Sequence, residues 1–211
     1  MADEQRGTAS GGRDTSRLEA FSDGVIAIAI TLLVLEVRVP DRAGIATTGQ
    51  LWRHLGDLWP DYLGYLISFG TIGVMWANHH AIFKYIALTN HYLLLLNSLL
   101  LLCIGFLPFP TALLADYLGH PGERAAVIVY SGWFLVTALA YNRLWWYASH
   151  DRRLIDPNAD SRAVEAVTRR FRLGPPSYLL AFLLSFVSTA ASLIVRLLLA
   201  LLYVLPNAAE G

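Results

Sequence analysis

Apolar residues in this 211-residue chain come in long runs, not in the short periodic stripes of a soluble protein. From Val25 to Leu35 only Thr31 is polar. The run opens directly from Arg17-Leu18-Glu19-Ala20-Phe21-Ser22-Asp23-Gly24 and closes at Glu36-Val37-Arg38-Val39-Pro40. About 20 apolar residues span a bilayer, and a helix stops where proline removes a backbone donor. The pattern predicts a first transmembrane helix over 17–39. It does not read as a signal peptide. Acidic Glu19 and Asp23 stand where a basic region belongs, and no small-x-small cleavage site follows.

Further runs predict helices over 60–85, 90–108 and 124–147. Residues 41–58 read as a polar loop with Trp52 and Trp59 as interfacial anchors. A short polar loop is expected near 116–124, and an arginine-rich loop over 149–172. The stretch from Pro175 to Pro206 holds about 30 mostly apolar residues, long for one span and short for two. A turn around Ser188–Ser192 divides it into helices over 173–188 and 191–206, with Arg196 near a membrane face, where it snorkels. Residues 1–16 are polar and rich in Gly, Ser and Arg, which predicts a disordered tail. A second tail covers 207–211. The expected architecture is all-α and polytopic, a single six-helix transmembrane domain over 17–206. In the second helix, the small-xxx-small pairs Gly64/Ser68 and Gly73/Ala77 allow a close neighbour.

Composition agrees. The chain is 55% hydrophobic and 15% charged, against about 25% charged in soluble domains. Formal net charge is zero, so nothing points to nucleic acid. Single Cys103 excludes an intrachain disulfide and reads as a packed thiol. No H-E-x-x-H, G-x-S-x-G, Walker A or G-x-G-x-x-G motif is present, so an enzyme, a metal centre and a bound cofactor are not expected. Six arginines between 149 and 172 mark that loop as cytoplasmic. Counting back four spans puts the N-terminus inside as well, and six spans bring the C-terminus to the same side.

Two features suggest chemistry. Taking Ile28 as zero on a helical wheel, Leu32, Leu35, Gly24 and Thr31 fall at about +40°, −20°, −40° and −60°. Such a stripe on a membrane helix ordinarily means packing or lipid contact. The second feature is polar. Arg17, Ser22 and Asp23 lie at the cytoplasmic end of helix one. Trp76, Asn78, His79, His80 and Lys84 lie at the same end of helix two. Asp23 is placed to accept from Trp76 or a histidine. This cluster reads as an interhelical network, with pH sensing or metal binding as alternatives.

The motif R-x-x-x-F-S-D-G at Arg17, Phe21, Ser22, Asp23 and Gly24 runs into A-I-A-I-T-L-L-V-L-E. With W-A-N-H-H-x-x-F at Trp76, Asn78, His79, His80 and Phe83, it resembles the endosomal/lysosomal transmembrane potassium-channel family and its prokaryotic members. Animal members carry two six-helix repeats. A single repeat is similar to the prokaryotic form, a homotetramer in the plasma membrane. The resemblance implies a central potassium pathway lined by helix one. Its constriction falls on Ile28, Leu32 and Leu35, with a selectivity layer at Thr31 and a signature network built from the two motifs. The chain has no T-V-G-Y-G filter. Apolar rings close by dewetting instead, and potassium sheds water more readily than sodium. Glu36 stands near the outer mouth, with Arg38 close enough in sequence to neutralise it. The competing readings are a proton-coupled carrier or proton-permeable leak, and a non-conducting membrane subunit.

Overall fold

A computed structural model describes the backbone over residues 2–204 and the side chains over 15–200. The expected tail at 207–211 lies outside the described residues. Among these, eight α-helices and no strand are found. They are α1 (Ala2–Leu32), α2 (Thr48–Asp57), α3 (Trp59–Phe83), α4 (His91–Gly105), α5 (Pro108–Tyr117), α6 (Glu123–Ser149), α7 (Ser161–Ser185) and α8 (Thr189–Val204). A 3-10 turn, Leu33–Glu36, extends α1. Helical backbone therefore begins well before the expected start at 17.

Length and composition qualify three segments to cross a membrane: Thr15–Glu36, His91–Tyr117 and Glu123–Arg152. Thr189–Ala200 is a shorter apolar helix. The other long helices, α3 and α7, carry more polar residues, among them Asp61, His79 and His80, and Arg162, Arg169 and Arg170. Composition thus supports a helical membrane protein, with three segments of spanning character among the described residues.

The expected loops contain helix where local signals allow it. In α2, Thr47 and Gln50 form a capping box: the Thr47 hydroxyl accepts from the Gln50 amide, and Gln50 Oε1 accepts from Thr47 N at 3.0 Å. Pro108 and Pro110 do not end the third run. They open α5, because the first turn of a helix has no use for their missing N–H. Likewise α7 begins at Ser161, inside the expected arginine-rich loop, and continues through Pro175 and Pro176. Pro175 cannot donate to the carbonyl of Phe171 four residues back. Asn142 of α6 does so instead, with Nδ2 at 2.9 Å. The break before α8 falls at 186–188, close to the expected turn.

α6 packs against α4, α5, α7 and α8, and α1 lies against α3 and α4. Gly64 brings α3 close to α5: a Cβ there would lie 3.6 Å from Thr111 Cγ2 and 3.7 Å from Ala115 Cβ. Ser68, one turn on, shares a 2.7 Å hydrogen bond with Thr111. Gly73 has open space around it. Cys103 is buried, and its carbonyl accepts from Trp133 Nε1 at 2.8 Å. Trp52 and Trp59 are exposed. Arg196 departs from expectation. It is buried, with its guanidinium over the rings of Tyr130 and Phe134, and does not snorkel.

Arg38 does not serve to neutralise Glu36. Its Nε and Nη2 donate to Asp61 Oδ2 and Oδ1 at 3.1 and 3.0 Å, and Nη1 lies 2.9 Å from Asp116. The hydrogen bond to Asp61 holds the guanidinium above its ordinary pKa. The pair is asymmetric, because the Asp61 side chain is 1% exposed and that of Arg38 is 59% exposed. Arg38→Met should therefore cost more, about 3 kcal/mol, since it strands a buried carboxylate. Asp61→Asn should cost only about 1 kcal/mol. Thermal unfolding of the two variants in one detergent checks the order, and equal losses would show that the burial asymmetry does not control the pair.

Candidate functional site

α1 has two distinct sides. Leu18, Ser22, Ile26, Ala29 and Leu33 are buried, at the spacing that keeps one face toward a neighbour. Gly24, Ile28, Thr31, Leu32 and Leu35 are all exposed. The two sets point roughly 130° apart at 3.6 residues per turn. Ile28 is 60% exposed and Leu35 is 73% exposed. The Thr31 hydroxyl donates to the Ile28 carbonyl at 2.9 Å. Its donor is used within the helix, so only oxygen lone pairs face outward. Glu36 is half-buried, turned from the exposed line that Leu35 continues. The 3-10 winding explains this, since successive residues are about 120° apart there.

Behind the buried side runs a hydrogen-bond chain through three helices. Ser22 Oγ donates to the Leu18 carbonyl and accepts from Asn97 Nδ2, both at 2.8 Å. Asn97 Oδ1 bonds His79 Nε2 at 2.9 Å. With the amide oxygen accepting, His79 carries its proton on Nε2. The other imidazole nitrogen, Nδ1, has no partner, and the ring stacks on Phe83 with centroids 4.2 Å apart. Ser22, Asn97 and His79 are fully buried. Two further contacts sit on the more exposed rim. Trp76 Nε1 donates to Asp23 Oδ1 at 2.9 Å, and His80 Nδ1 lies 2.9 Å from Glu19 Oε1.

The structure thus brings together Ser22, Asp23, Trp76, His79 and His80. It does not bring in Arg17, Phe21 or Asn78. The first two are exposed, and Asn78 points to the opposite side of α3, into a small cavity with Arg170 and Tyr178. Glu19 and Asn97 are members that the motifs did not name. Asn97 had a signal, being the first polar residue within the run beginning at Leu93. No cluster of three His, Cys, Asp or Glu side chains suited to a metal occurs among the described residues.

The chain is a helical membrane protein whose first helix is packed on one side and apolar and exposed on the other. Residues 17–108 match the family described as endosomal/lysosomal potassium channel TMEM175. A protein of Chamaesiphon minutus named as a potassium channel is 51% identical over 192 residues, covering 91% of this chain and 94% of its own. A potassium channel of Streptomyces collinus is 44% identical over 191 residues, covering 90% of this chain and 91% of its own. The crystal structure of a lysosomal potassium-selective channel TMEM175 homolog from Chamaesiphon minutus superposes with a TM-score of 0.82 at 50% identity. It covers 90% of this chain and 96% of that one. The chain belongs to the TMEM175 family, a family of ion channels and not of enzymes.

The buried chain should matter more than its rim. Asn97→Leu removes one partner and leaves the Ser22 and His79 groups buried without it, at a cost of about 1–3 kcal/mol. Asp23→Ala frees only a half-exposed indole N–H and should cost less. Detergent unfolding midpoints and the yield of assembled protein measure both. A larger loss for Asp23→Ala would place the anchor on the rim instead.

Proposed function

We propose that this chain is the subunit of a homotetrameric potassium channel in the cell membrane, conducting passively through a central pathway lined by α1. The observation that carries the reading is the exposed line Gly24, Ile28, Thr31, Leu32 and Leu35, opposite the packed face of α1. Its relatives' names as potassium channels support it. One α1 cannot surround a pathway, so closed rotational symmetry is required. Four Ile28 side chains make one ring, and Leu32 and Leu35 make rings above it. Apolar rings of this kind shut by excluding water, and an ion that crosses must shed part of its shell. Four Thr31 hydroxyl oxygens then offer a layer of acceptors to a partly dehydrated cation. Potassium gives up water more readily than sodium and is favoured.

In this reading α1, α3, α4 with α5, α6, the later part of α7, and α8 make six crossings. The arginine-rich segment and both termini lie on the cytoplasmic side. Ser22, Asp23, Trp76, His79 and His80 hold α1 in register, while half-buried Glu36 flanks the outer mouth.

Native mass measurement in mild detergent should give four copies, and a conducting monomer would sink the proposal. Ile28→Asn should raise conductance and lower potassium-over-sodium selectivity, because ions then pass with more of their water. Val34, about 120° round the 3-10 turn from Leu35, is the control, and Val34→Asn should leave selectivity unchanged. Bi-ionic reversal potentials in planar bilayers read both variants. Selectivity lost in the Val34 variant and kept in the Ile28 variant would mean that another side of α1 faces the pathway.

A further inference from the structure

Away from α1, a cavity of about 220 Å³ lies between α3, α5, α6 and α8. Its lining is almost wholly apolar, with Leu63, Ile67, Leu114, Leu193 and Leu197 among its walls. One side chain there is a cation. Arg196 is 7% exposed and sits seven residues into α8, about 10 Å along the helix axis from its first residue. Its guanidinium carbon lies 4.3 Å from the Tyr130 ring centre and 3.8 Å from that of Phe134. Ring faces stabilise the plane of a guanidinium, and the Tyr130 side chain hydrogen-bonds it at one point, but two of its donor atoms stay open and no negative charge faces it. Nε and Nη1 of Arg196 have no hydrogen-bond partner among the described residues, and no carboxylate there is within ion-pair distance.

A buried charge with open donors is costly unless something pairs with it. The missing chemistry is an oxyanion. Ile194 and Leu197 on the rim of the cavity are themselves exposed, so the opening meets apolar surroundings. Entry from that side selects a ligand that carries a hydrocarbon chain.

We propose that this cavity binds an anionic amphiphile, its carboxylate or phosphate head accepting from Arg196 and its alkyl chain lying against Leu63, Ile67 and Leu197. The site is separate from the face of α1 assigned to conduction.

The test uses the full-length assembled protein in nanodiscs of neutral phosphatidylcholine, with thermal unfolding midpoints read against added decanoate, decyl phosphate, decanol and inorganic phosphate. A ligand that binds only the folded state raises the midpoint with its concentration. Decanoate and decyl phosphate should raise it, while decanol and inorganic phosphate should not. Arg196→Gln should abolish the rise. Ala200→Phe keeps Arg196 but fills the cavity, and should weaken the response to decanoate roughly tenfold or more, about 1.4 kcal/mol. The Ala200 variant stands as the test even if removing Arg196 disturbs folding. An unchanged response in either folded variant, or no rise in the unaltered protein, overturns the proposal. A rise from inorganic phosphate equal to that from decanoate also overturns it, as a small-anion site.

Discussion

Asn97 meets Ser22 and His79 where α1, α3 and α4 come together, and much of the arrangement depends on that contact. Lipid tails are as apolar as leucine, so apolar packing alone does little to choose how one membrane helix is turned against the next. A buried amide does choose. Its oxygen and its NH2 group must each find the correct partner, and Asn97 finds both at 2.8–2.9 Å. Turning α1 by one residue, about 100°, would carry Ser22 off Asn97 and leave polar atoms bare in the core. The rotation of α1 is therefore fixed by chemistry at Ser22. The exposure of Ile28, Thr31 and Leu32 on its far side follows from that fixed rotation.

The segment after α1 is held by different means. Past Leu32 the helix tightens to a 3-10 turn and then leaves helical geometry at Val37. Arg38 closes this segment onto α3 through both Asp61 oxygens and onto α5 through Asp116. A fork of planar donors on a buried carboxylate is directional, as a single ammonium would not be. With a hydrogen-bonded chain at one end and an ion pair at the other, the apolar middle of α1 is a pinned rod. In the proposed tetramer, changes in the width of the pathway would then come mainly from rotamers of Ile28, Leu32 and Leu35 or from tilting of whole subunits.

Hydrophobic runs made the helical membrane class legible, and the F-S-D and W-A-N-H-H residues made the meeting of α1 and α3 legible. What escaped was set by contacts between helices. Pro175 and Pro176 look like a helix boundary until Asn142 is seen to take up the carbonyl that Pro175 leaves free. Asn142 shows no sign of that role in its own segment. The capping box at Thr47 and Gln50 was readable locally, but a polar composition hid it. Arg196 was misplaced because hydropathy records how far along a helix a charge lies and not which way it points. Asn78 was grouped with His79 and His80 by proximity in sequence, although residues 76 and 78 fall about 160° apart on a helix.

The proposed apolar constriction accords with the way this bundle treats polar groups. Where polar side chains are buried between helices, most are paired: Ser22 with Asn97, Ser68 with Thr111, Ser131 with Ser192 at 3.1 Å. A constriction built from such groups would need partners across a symmetry axis, and each would be stranded whenever the ring changed width. Leucine and isoleucine make no such demand. The proposed rings of Ile28, Leu32 and Leu35 would be dry when narrow and wetted when wide, with no side-chain donor or acceptor of their own to strand. Thr31 follows the same rule, because its hydroxyl donates to the Ile28 carbonyl of its own helix and needs no donor partner across the proposed axis. In the proposed channel, selectivity and closure would then share one stretch of helix, while the polar contacts that hold it in place lie at its packed face and beyond its apolar run.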